Sequence, residues 1–225
     1  MMSKTSQQEK REAEIFRADS KLSTQASRHS KLARLFTDWS FTARVVRYAL
    51  RLPTPLDTED RRTLERVIFK YVLALPNTKK VLFVGCDWYT RHYERTFFRG
   101  CDYWTIDISP NTRRFAGKQH IVGPLQDLSK HFPEQHFDLI ICNGVYGFGL
   151  DAREDCEQAF ESCYSRLRDD GSFVFGWNDI PARTPVPLES LKSLSRFRTS
   201  VCPELGTWRY VTDTPYRHTY DFYRR

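Results

Sequence analysis

Polar side chains follow two apolar runs of this sequence, and they are its first candidates for chemistry. Asn143 comes directly after FDLIIC, and Asn178 and Asp179 come directly after SFVFGW. A carboxylate such as Asp179 is a candidate general base, which a hydroxyl or amine substrate would require. Asn143 and Asn178 are candidates to orient a substrate. Both segments also suit turns, since Asn143 precedes a glycine and Pro181 closely follows Asp179, so a structural role stays open for all three side chains.

The sequence from Asn77 onward predicts the strands that would position these groups. Short, continuous apolar runs indicate strands buried on both faces, and amphipathic segments between them indicate helices. This alternation predicts a Rossmann-like α/β fold, a mostly parallel sheet with flanking helices and ligands at the carboxyl ends of its strands. About seven strands are expected, in or near 80–86, 103–106, 120–123, 137–142, 172–177, 197–201 and 218–223, with helices in 92–100, 111–119, 152–171 and 188–197.

Four segments, in this order and spacing, resemble the class I S-adenosylmethionine-dependent methyltransferase family over roughly residues 78–225. The first is an apolar strand ending in a turn, VLFVGCDWYT. The second is YWTIDIS, with an acid at its strand end. FDLIICNGV is the third, and LRDDGSFVFGWND, a helix end, turn and strand, is the fourth. The resemblance implies a methyl-transfer enzyme with S-adenosyl-L-methionine as its cofactor.

The resemblance also implies which residues contact that cofactor. The carboxylate of Asp107 matches the position that accepts hydrogen bonds from the ribose hydroxyls, although a turn or capping role is the alternative. Asp127 lies near the family's adenine contact, with Pro124 closer to the usual position. Asn143 and Gly144 should face the site of methyl transfer. The full set of cofactor-binding candidates is Gly85, Cys86, Asp87, Asp107, Ile108, Asp127, Asn143 and Gly144.

The turn after the first strand departs from the family pattern. The usual acid is replaced by Phe83, Gly85 is kept, and Asp87 and Tyr89 occupy later glycine positions, where glycine lets the backbone approach the cofactor closely. Asp87 is a candidate to bind the cofactor's amino group in place of the acid missing at position 83. The alternative is a cleft that no longer binds the cofactor. The stretch YGFGLDA, from Tyr146, is either a mobile lid over the cleft or a plain loop.

The N-terminal third carries the positive charge of the chain. Residues 1–52 contain 11 Lys and Arg against 5 Asp and Glu, a net charge of +6 out of the total of +7. Residues 1–30 are polar and predict a flexible tail. Residues 31–76 predict a helical cap, with one helix over 31–52 and another over 58–75 that Asp57 or Thr58 could cap. Residues 77–225 form the predicted methyltransferase-like domain.

The composition and short motifs of the sequence argue against several other classes of protein. No apolar run approaches the roughly 18 residues of a membrane span, and the N-terminus lacks an apolar secretory core, so we expect a cytoplasmic protein. The six cysteines form no CxxC pair and the histidines show no metal-ligand spacing, which favours free thiols and no metal site. No G-x-G-x-x-G follows the first strand, which disfavours a nicotinamide cofactor.

The sequence therefore predicts methyl transfer from S-adenosylmethionine to a small-molecule or polar metabolite substrate. The alternative is a catalytically impaired methyltransferase-like scaffold that binds a protein partner or a membrane surface through its basic N-terminal helices. Residues 31–52 are the candidates for peripheral membrane contact. An RNA methyltransferase that uses the basic arm is a third interpretation, disfavoured because long basic clusters are missing from the sequence.

Overall fold

The computed structural model describes residues 56–225, together with Val46. The described part of the chain, apart from Val46, lies within one compact unit, Pro53–Arg225. The predictions for the tail 1–30 and for the helix over 31–52 lie outside the described residues. The domain boundaries therefore stay predictions.

An eight-stranded, mostly parallel sheet organises the described region and confirms the predicted fold class. Its order is β3-β2-β1-β4-β5-β8-β6, and β7 pairs with β8 off this path. The first five strands run parallel, whereas β8 is antiparallel to β5. The strands are β1 Lys80–Val84, β2 Asp102–Asp107, β3 Gln119–Val122, β4 Phe137–Asn143, β5 Leu167–Asn178, β6 Arg198–Thr199, β7 Arg209–Val211 and β8 His218–Arg224.

The central strands form because both of their faces are covered. In β1, Val81 and Phe83 pack into the core on one side of the sheet, and Leu82 and Val84 pack into the core on the other. Continuous apolar runs are the sequence signature of such strands, which explains why β1 and β4 match their predictions closely. Because β1 and β4 are neighbours in the sheet, their carboxyl ends meet at one edge.

The predicted second helix is present, with a wider turn in its middle. It consists of α1 (Glu59–Thr63), a π-helical segment Leu64–Ile68 and α2 (Phe69–Ala74). Thr58 is the N-cap residue, but its side chain makes no capping hydrogen bond. Buried residues of this helix, Leu64, Ile68, Phe69 and Val72, pack in the same core as Phe83. The helix therefore belongs to the described α/β unit.

Two further helices connect strands and confirm predicted ones. α3 (Tyr93–Thr96) follows β1, and α4 (Arg153–Arg166) joins β4 to β5. α4 buries Cys156, Ala159, Phe160 and Cys163 against the sheet. The predicted helix over 111–119 is a short 3₁₀ helix, Pro110–Phe115, and a second 3₁₀ helix, Leu125–Lys130, follows β3.

The predicted helix over 188–197 is wrong. Two short 3₁₀ turns, Leu188–Ser190 and Leu194–Arg196, occupy this segment. The buried side chains recur every third residue, the period of a 3₁₀ helix rather than 3.6. Two serines bond to local carbonyls, which competes with a continuous helix. The buried residues of this segment are Leu188, Leu191, Leu194 and Phe197.

Candidate active site

A cleft opens at the carboxyl ends of β1, β2 and β4, where the parallel fold predicts ligand binding. It encloses about 920 Å³, counted with the open solvent at its mouth. Each predicted cofactor contact except Asp127 lines this cleft. The residues that meet there are Gly85, Cys86, Asp87, Asp107, Ile108, Asn143 and Gly144.

The turn after β1 brings main chain to the cleft at Gly85. Its φ is +88°, a left-handed conformation that side chains rarely adopt. A Cβ atom added there would lie 2.6 Å from the carbonyl oxygen of Asn143 and 3.0 Å from Val145 Cγ1. The Gly85 N–H donates to the carbonyl of Ile106 at 3.1 Å. Glycine is therefore required both by the backbone conformation and by the close approach of β4.

Asp107 ends β2 with its carboxylate fixed by two main-chain donors. The N–H of Cys86 donates to Oδ2 and the N–H of Ser109 donates to Oδ1, both at 2.8 Å. A carboxylate has about four acceptor positions, so about two remain for a ligand. Ile108, 64% exposed, lies beside it in the cleft and offers an apolar surface. Together they suit a ligand that carries hydroxyl groups next to a flat apolar group.

Asp87 follows the same turn and lines the cleft. Its Oδ1 accepts from the N–H of Trp88 at 2.6 Å, and its own N–H donates to Thr90 Oγ1 at 3.0 Å. These contacts fix the position of the carboxylate beside the carboxyl end of β1. A carboxylate held there is chemically suited to an ammonium group, as the sequence predicts for Asp87.

The segment after β3 contributes Gly123 to Gln126 to the cleft rather than the next residue, Asp127. The Asp127 carboxylate accepts from Lys130 Nζ at 2.8 Å. The backbone carries it past the lining because a 3₁₀ helix begins at Leu125. The adenine contact by Asp127 stays a prediction.

Two of the predicted polar residues belong to one buried hydrogen-bond chain. The amide of Asn143 lies 3.0 Å from His218 Nε2, and His218 Nδ1 lies 2.6 Å from Asn178 Oδ1. The side-chain amide of Asn143 is oriented with its oxygen towards Arg61 and its NH₂ group towards His218. The oxygen accepts from both terminal guanidinium nitrogens of Arg61, at 3.1 and 3.2 Å, and the NH₂ group donates to His218 Nε2. His218 then donates from Nδ1 to Asn178. Each group in this chain has a matching partner.

This chain requires a neutral His218. Burial, reinforced by the positive charge of Arg61, lowers the pKa of His218 to about 4, although Asp60 acts in the opposite direction. The imidazole is 6% exposed and accepts at Nε2, so a proton there would face the Asn143 NH₂ group. Asn143 and Asn178 are therefore held rigidly, Asn143 at the cleft and Asn178 behind it.

Asp179, the candidate general base, lies past the end of β5 and does not line the cleft. Its carboxylate pairs with Arg217 Nη2 at 3.1 Å. Trp177, two residues earlier, is buried and donates from Nε1 to Asp221 at 3.2 Å. Asp155 of α4 is a lining carboxylate that the sequence did not single out. The role of Asp179 as a base stays a prediction.

The loop from Gly144 to Leu150 closes one side of the cleft. Its buried Tyr146 donates a hydrogen bond to the carbonyl of Val186. Arg183 donates to the Gly147 carbonyl at 3.0 Å and lies 4.1 Å from the Phe148 ring centroid. The base of this loop is therefore anchored, while Phe148, 41% exposed, presents an aromatic face at the cleft.

Arg61 lines the cleft and was not predicted to do so. It is 6% exposed and lies on the buried stripe of the helix, three residues before Leu64 and seven before Ile68. That helical spacing was the available signal, but a search for apolar periodicity passes over an arginine.

The thiols and the other potential ligands do not indicate metal or thiol chemistry. All six cysteines are free, and burial raises the pKa of the Cys86 thiol, which keeps it protonated and unreactive in the cleft. Across residues 56–225 no cluster of three or more His, Cys, Asp or Glu side chains is placed to hold a metal ion. No helix in that range has the length and apolar character to cross a membrane.

Comparison with known protein families supports the location of the candidate site at this end of the sheet. A family model described as a methyltransferase domain matches residues 82–175, which run from β1 into β5. This range contains the turn at Gly85, the acid Asp107 and the β4 end at Asn143. No curated protein matches the chain.

Solved structures share the fold at low sequence identity. A TehB-like SAM-dependent methyltransferase from Corynebacterium glutamicum is 21% identical with a TM-score of 0.51, over 69% of this chain and 85% of that one. The N-methyltransferase NodS from Bradyrhizobium japonicum is 16% identical with a TM-score of 0.52, over 76% and 99%. A Burkholderia thailandensis 1,6-didemethyltoxoflavin-N1-methyltransferase, with bound 1,6-didemethyltoxoflavin and S-adenosylhomocysteine, is 14% identical with a TM-score of 0.50, over 89% and 91%.

Proposed function

Because this chain carries a class I, Rossmann-like methyltransferase domain, as its sequence predicts, we propose that it transfers a methyl group from S-adenosylmethionine to a small polar molecule. The observation that carries the proposal is the carboxylate of Asp107, fixed at the end of β2 beside Ile108 and lining the cleft. The fold alone would not assign a function. The placement of Asp107 and Ile108 at the cleft supports methyl transfer.

The residues present fit the parts of the cofactor. Asp107 has acceptor positions for the two ribose hydroxyls, and Ile108 and Leu125 provide apolar surface for the adenine ring. Asp87 offers a carboxylate to the ammonium group. The departures from the glycine pattern leave a cleft, since Asp87 and Tyr89 line it rather than fill it. S-adenosylmethionine supplies a methyl group activated by its positively charged sulfur.

The chain contributes positioning and exclusion of water. Asn143 presents a rigid amide at the cleft because His218 holds it from behind. Phe148 and Leu150 cover one side of the cleft with apolar surface. Orientation of the two reactants and removal of solvent account for much of the rate gain in a displacement of this kind. The small-molecule class of the substrate is supported by the 1,6-didemethyltoxoflavin-N1-methyltransferase, whose structure contains bound 1,6-didemethyltoxoflavin.

We expect Asp107→Asn to weaken S-adenosylhomocysteine binding by about 10- to 100-fold, the effect of losing a charged hydrogen-bond acceptor of about 1.5–3 kcal/mol. Calorimetric titration of the folded variant measures this change. Asp102→Asn is the matched control, since it alters the same residue type at the opposite end of β2. Asp127→Asn tests the predicted adenine contact in the same assay.

Failure of well-folded wild-type protein to bind S-adenosylmethionine or S-adenosylhomocysteine would overturn the proposal. An equal loss in Asp102→Asn would show that Asp107 acts only through the fold. Failure to bind either ligand would favour the scaffold alternative. That alternative predicts binding to liposomes or to a protein partner that disappears when residues 1–52 are deleted.

A further inference from the structure

Arg61 determines which hydrogen-bonding groups Asn143 offers to the cleft. The arginine belongs to α1, outside the segment that matches the methyltransferase family, whereas Asn143 ends β4 inside that segment. An amide oxygen has two acceptor positions. The two terminal nitrogens of Arg61 donate to this oxygen at 3.1 and 3.2 Å and fill both positions. The Asn143 oxygen therefore has no acceptor position left for a ligand.

The NH₂ group of Asn143 keeps one hydrogen for a ligand. It carries two hydrogens, and His218 Nε2 accepts one of them at 3.0 Å. The other nitrogen of His218 donates to Asn178, which leaves Nε2 as the acceptor. Across residues 56–225 no acceptor takes the second hydrogen, and Asn143 lines the cleft. Asn143 is therefore a hydrogen-bond donor to the cleft and not an acceptor.

The guanidinium that orients Asn143 is itself held in place. Its Nη2 also donates to the Tyr89 hydroxyl at 3.2 Å, and its central carbon lies 4.3 Å from the centroid of the Tyr89 ring, a cation–π contact. Asp60 Oδ2 lies 3.5 Å from Nε of Arg61, but no hydrogen bond joins them. The positive charge is therefore only partly neutralised, and it favours a negative charge on a ligand beyond the amide that it orients.

We propose that the methyl acceptor is an ionised hydroxyl group, such as a phenolate or an enolate, whose oxygen accepts a hydrogen bond from the Asn143 NH₂ group. Arg61 is the positioning residue that makes Asn143 a donor. The inference rests on the proposed function, which supplies the methyl group. An amine acceptor would need an oxygen to receive its N–H, and Asn143 has none to offer, so its N–H would be left without a partner at this contact.

An ionised oxygen can accept this hydrogen bond and still react. One of its lone pairs accepts from Asn143 and another forms the bond to the methyl carbon, while the electron pair of the breaking carbon–sulfur bond stays on sulfur. A ring nitrogen has a single lone pair and cannot do both. The negative charge of the acceptor and the positive charge of the sulfur cancel, so no proton has to be removed. This agrees with the position of Asp179, which does not line the cleft.

Two dyes of nearly the same shape test this preference. 4-Nitrophenolate carries an ionised oxygen where 4-nitroaniline carries an NH₂ group, and both are titrated into protein saturated with S-adenosylhomocysteine. Wild type should bind the phenolate about 10-fold or more tightly than the aniline, the scale of a hydrogen bond to a charged group. At the pH where free 4-nitrophenol is half ionised, binding should also increase the absorbance of the anion.

Variants separate the positioning by Arg61 from a general effect on the fold. Arg61→Met releases the Asn143 oxygen, so the preference for the phenolate should fall by about 5-fold or more. Arg61→Lys keeps the charge but loses the paired contact, so it should retain part of the preference. Asn143→Asp removes the donor and should reverse the preference. Arg62→Met, on the exposed side of the same helix, is the matched control and should keep the wild-type preference.

The proposal is overturned if wild type saturated with S-adenosylhomocysteine binds 4-nitroaniline as tightly as 4-nitrophenolate, or binds neither dye. Equal losses of both dyes in Arg61→Met would also overturn it, since a purely structural role gives that result. Wild-type protein that binds neither S-adenosylmethionine nor S-adenosylhomocysteine would count against the proposed function instead, and the dye preference of the unliganded protein would then decide on the Asn143 contact. Thermal unfolding of each variant verifies that it is folded.

Discussion

Replacing Gly85 by alanine is expected to lower the free energy of unfolding by about 2–5 kcal/mol and to abolish cofactor binding. Two costs add at this residue. Its φ of +88° disfavours any side chain, and the new Cβ would lie 2.6 Å from the main-chain oxygen of Asn143. That oxygen belongs to the end of a central strand, which has little freedom to move. Urea unfolding and calorimetric titration with S-adenosylhomocysteine measure the two effects.

Gly100 supplies a matched control for this prediction. Its φ is +92°, nearly the same as that of Gly85, but a Cβ added there meets nothing within 4 Å. Gly100→Ala should therefore cost only the backbone term of about 1–2 kcal/mol and should leave cofactor binding unchanged. Equal losses in the two variants would contradict the role we assign to the close approach between the β1 turn and β4.

The sequence was sufficient for the elements whose signal is local. The continuous apolar runs of β1 and β4 locate the centre of the sheet, because only strands covered on both faces are apolar at every position. Asp107 was found for the same reason, since it directly ends an apolar run. Once the sheet is parallel, the carboxyl ends of β1, β2 and β4 must meet, and the candidates located there meet with them.

Sequence reasoning missed contacts that the sheet order creates between distant segments. His218 could be assigned to a late strand, but its alignment with Asn178 follows from the antiparallel insertion of β8 next to β5. Arg61 stands on the buried side of its helix, where a pattern search expects apolar residues. Its partner Asn143 ends β4, far along the chain and inside the matched domain. Neither the His218–Asn178 contact nor the Arg61–Asn143 contact can be recognised from the neighbouring residues in the sequence.

The incorrect prediction of a helix over 188–197 has a different cause. Every third residue of that segment is buried, and a period of three lies close enough to 3.6 for a ten-residue segment to resemble a helix. The distinction depends on where the serine hydroxyls bond. Ser193 donates to Glu157 of α4, and Ser190 and Ser195 bond to nearby carbonyls. The Glu157 contact exists only when α4 is in place, so the residues of the segment alone do not reveal it.

The asparagine–histidine chain connects the stability of the domain to the geometry of the cleft. Gly176 faces this chain so closely that a Cβ added there would lie 1.9 Å from the Asn143 amide and 3.1 Å from His218 Nε2. The sheet therefore leaves space for Asn143 and His218 by omitting one side chain. Because His218 is part of the chain only in its neutral form, acid should disrupt the arrangement that fixes Asn143 and Arg61.

We expect the free energy of unfolding to fall by about 2.5 kcal/mol between pH 7 and pH 4.5 through His218 alone. Its pKa is about 4 in the folded protein, against an ordinary value of 6.5. As the pH falls, the unfolded chain therefore binds the proton first. The stability is fully present above about pH 6.5, is lost as the pH decreases towards 4, and then changes no further through this group. Urea unfolding across this pH range measures the loss.

His218→Gln isolates this contribution, because glutamine keeps hydrogen-bonding groups but does not titrate. The variant should lose stability less steeply than wild type between pH 7 and pH 4.5, by the same 2.5 kcal/mol or so. His120 and His136, whose pKa values are also lowered by burial, remain in both proteins and cancel in the comparison. Parallel pH profiles for the two proteins would show that folding does not lower the pKa of His218, which would then become charged in the folded protein over the same pH range. The hydrogen-bond directions assigned from Arg61 through Asn143 to Asn178 would then be wrong, since a charged His218 cannot accept from Asn143.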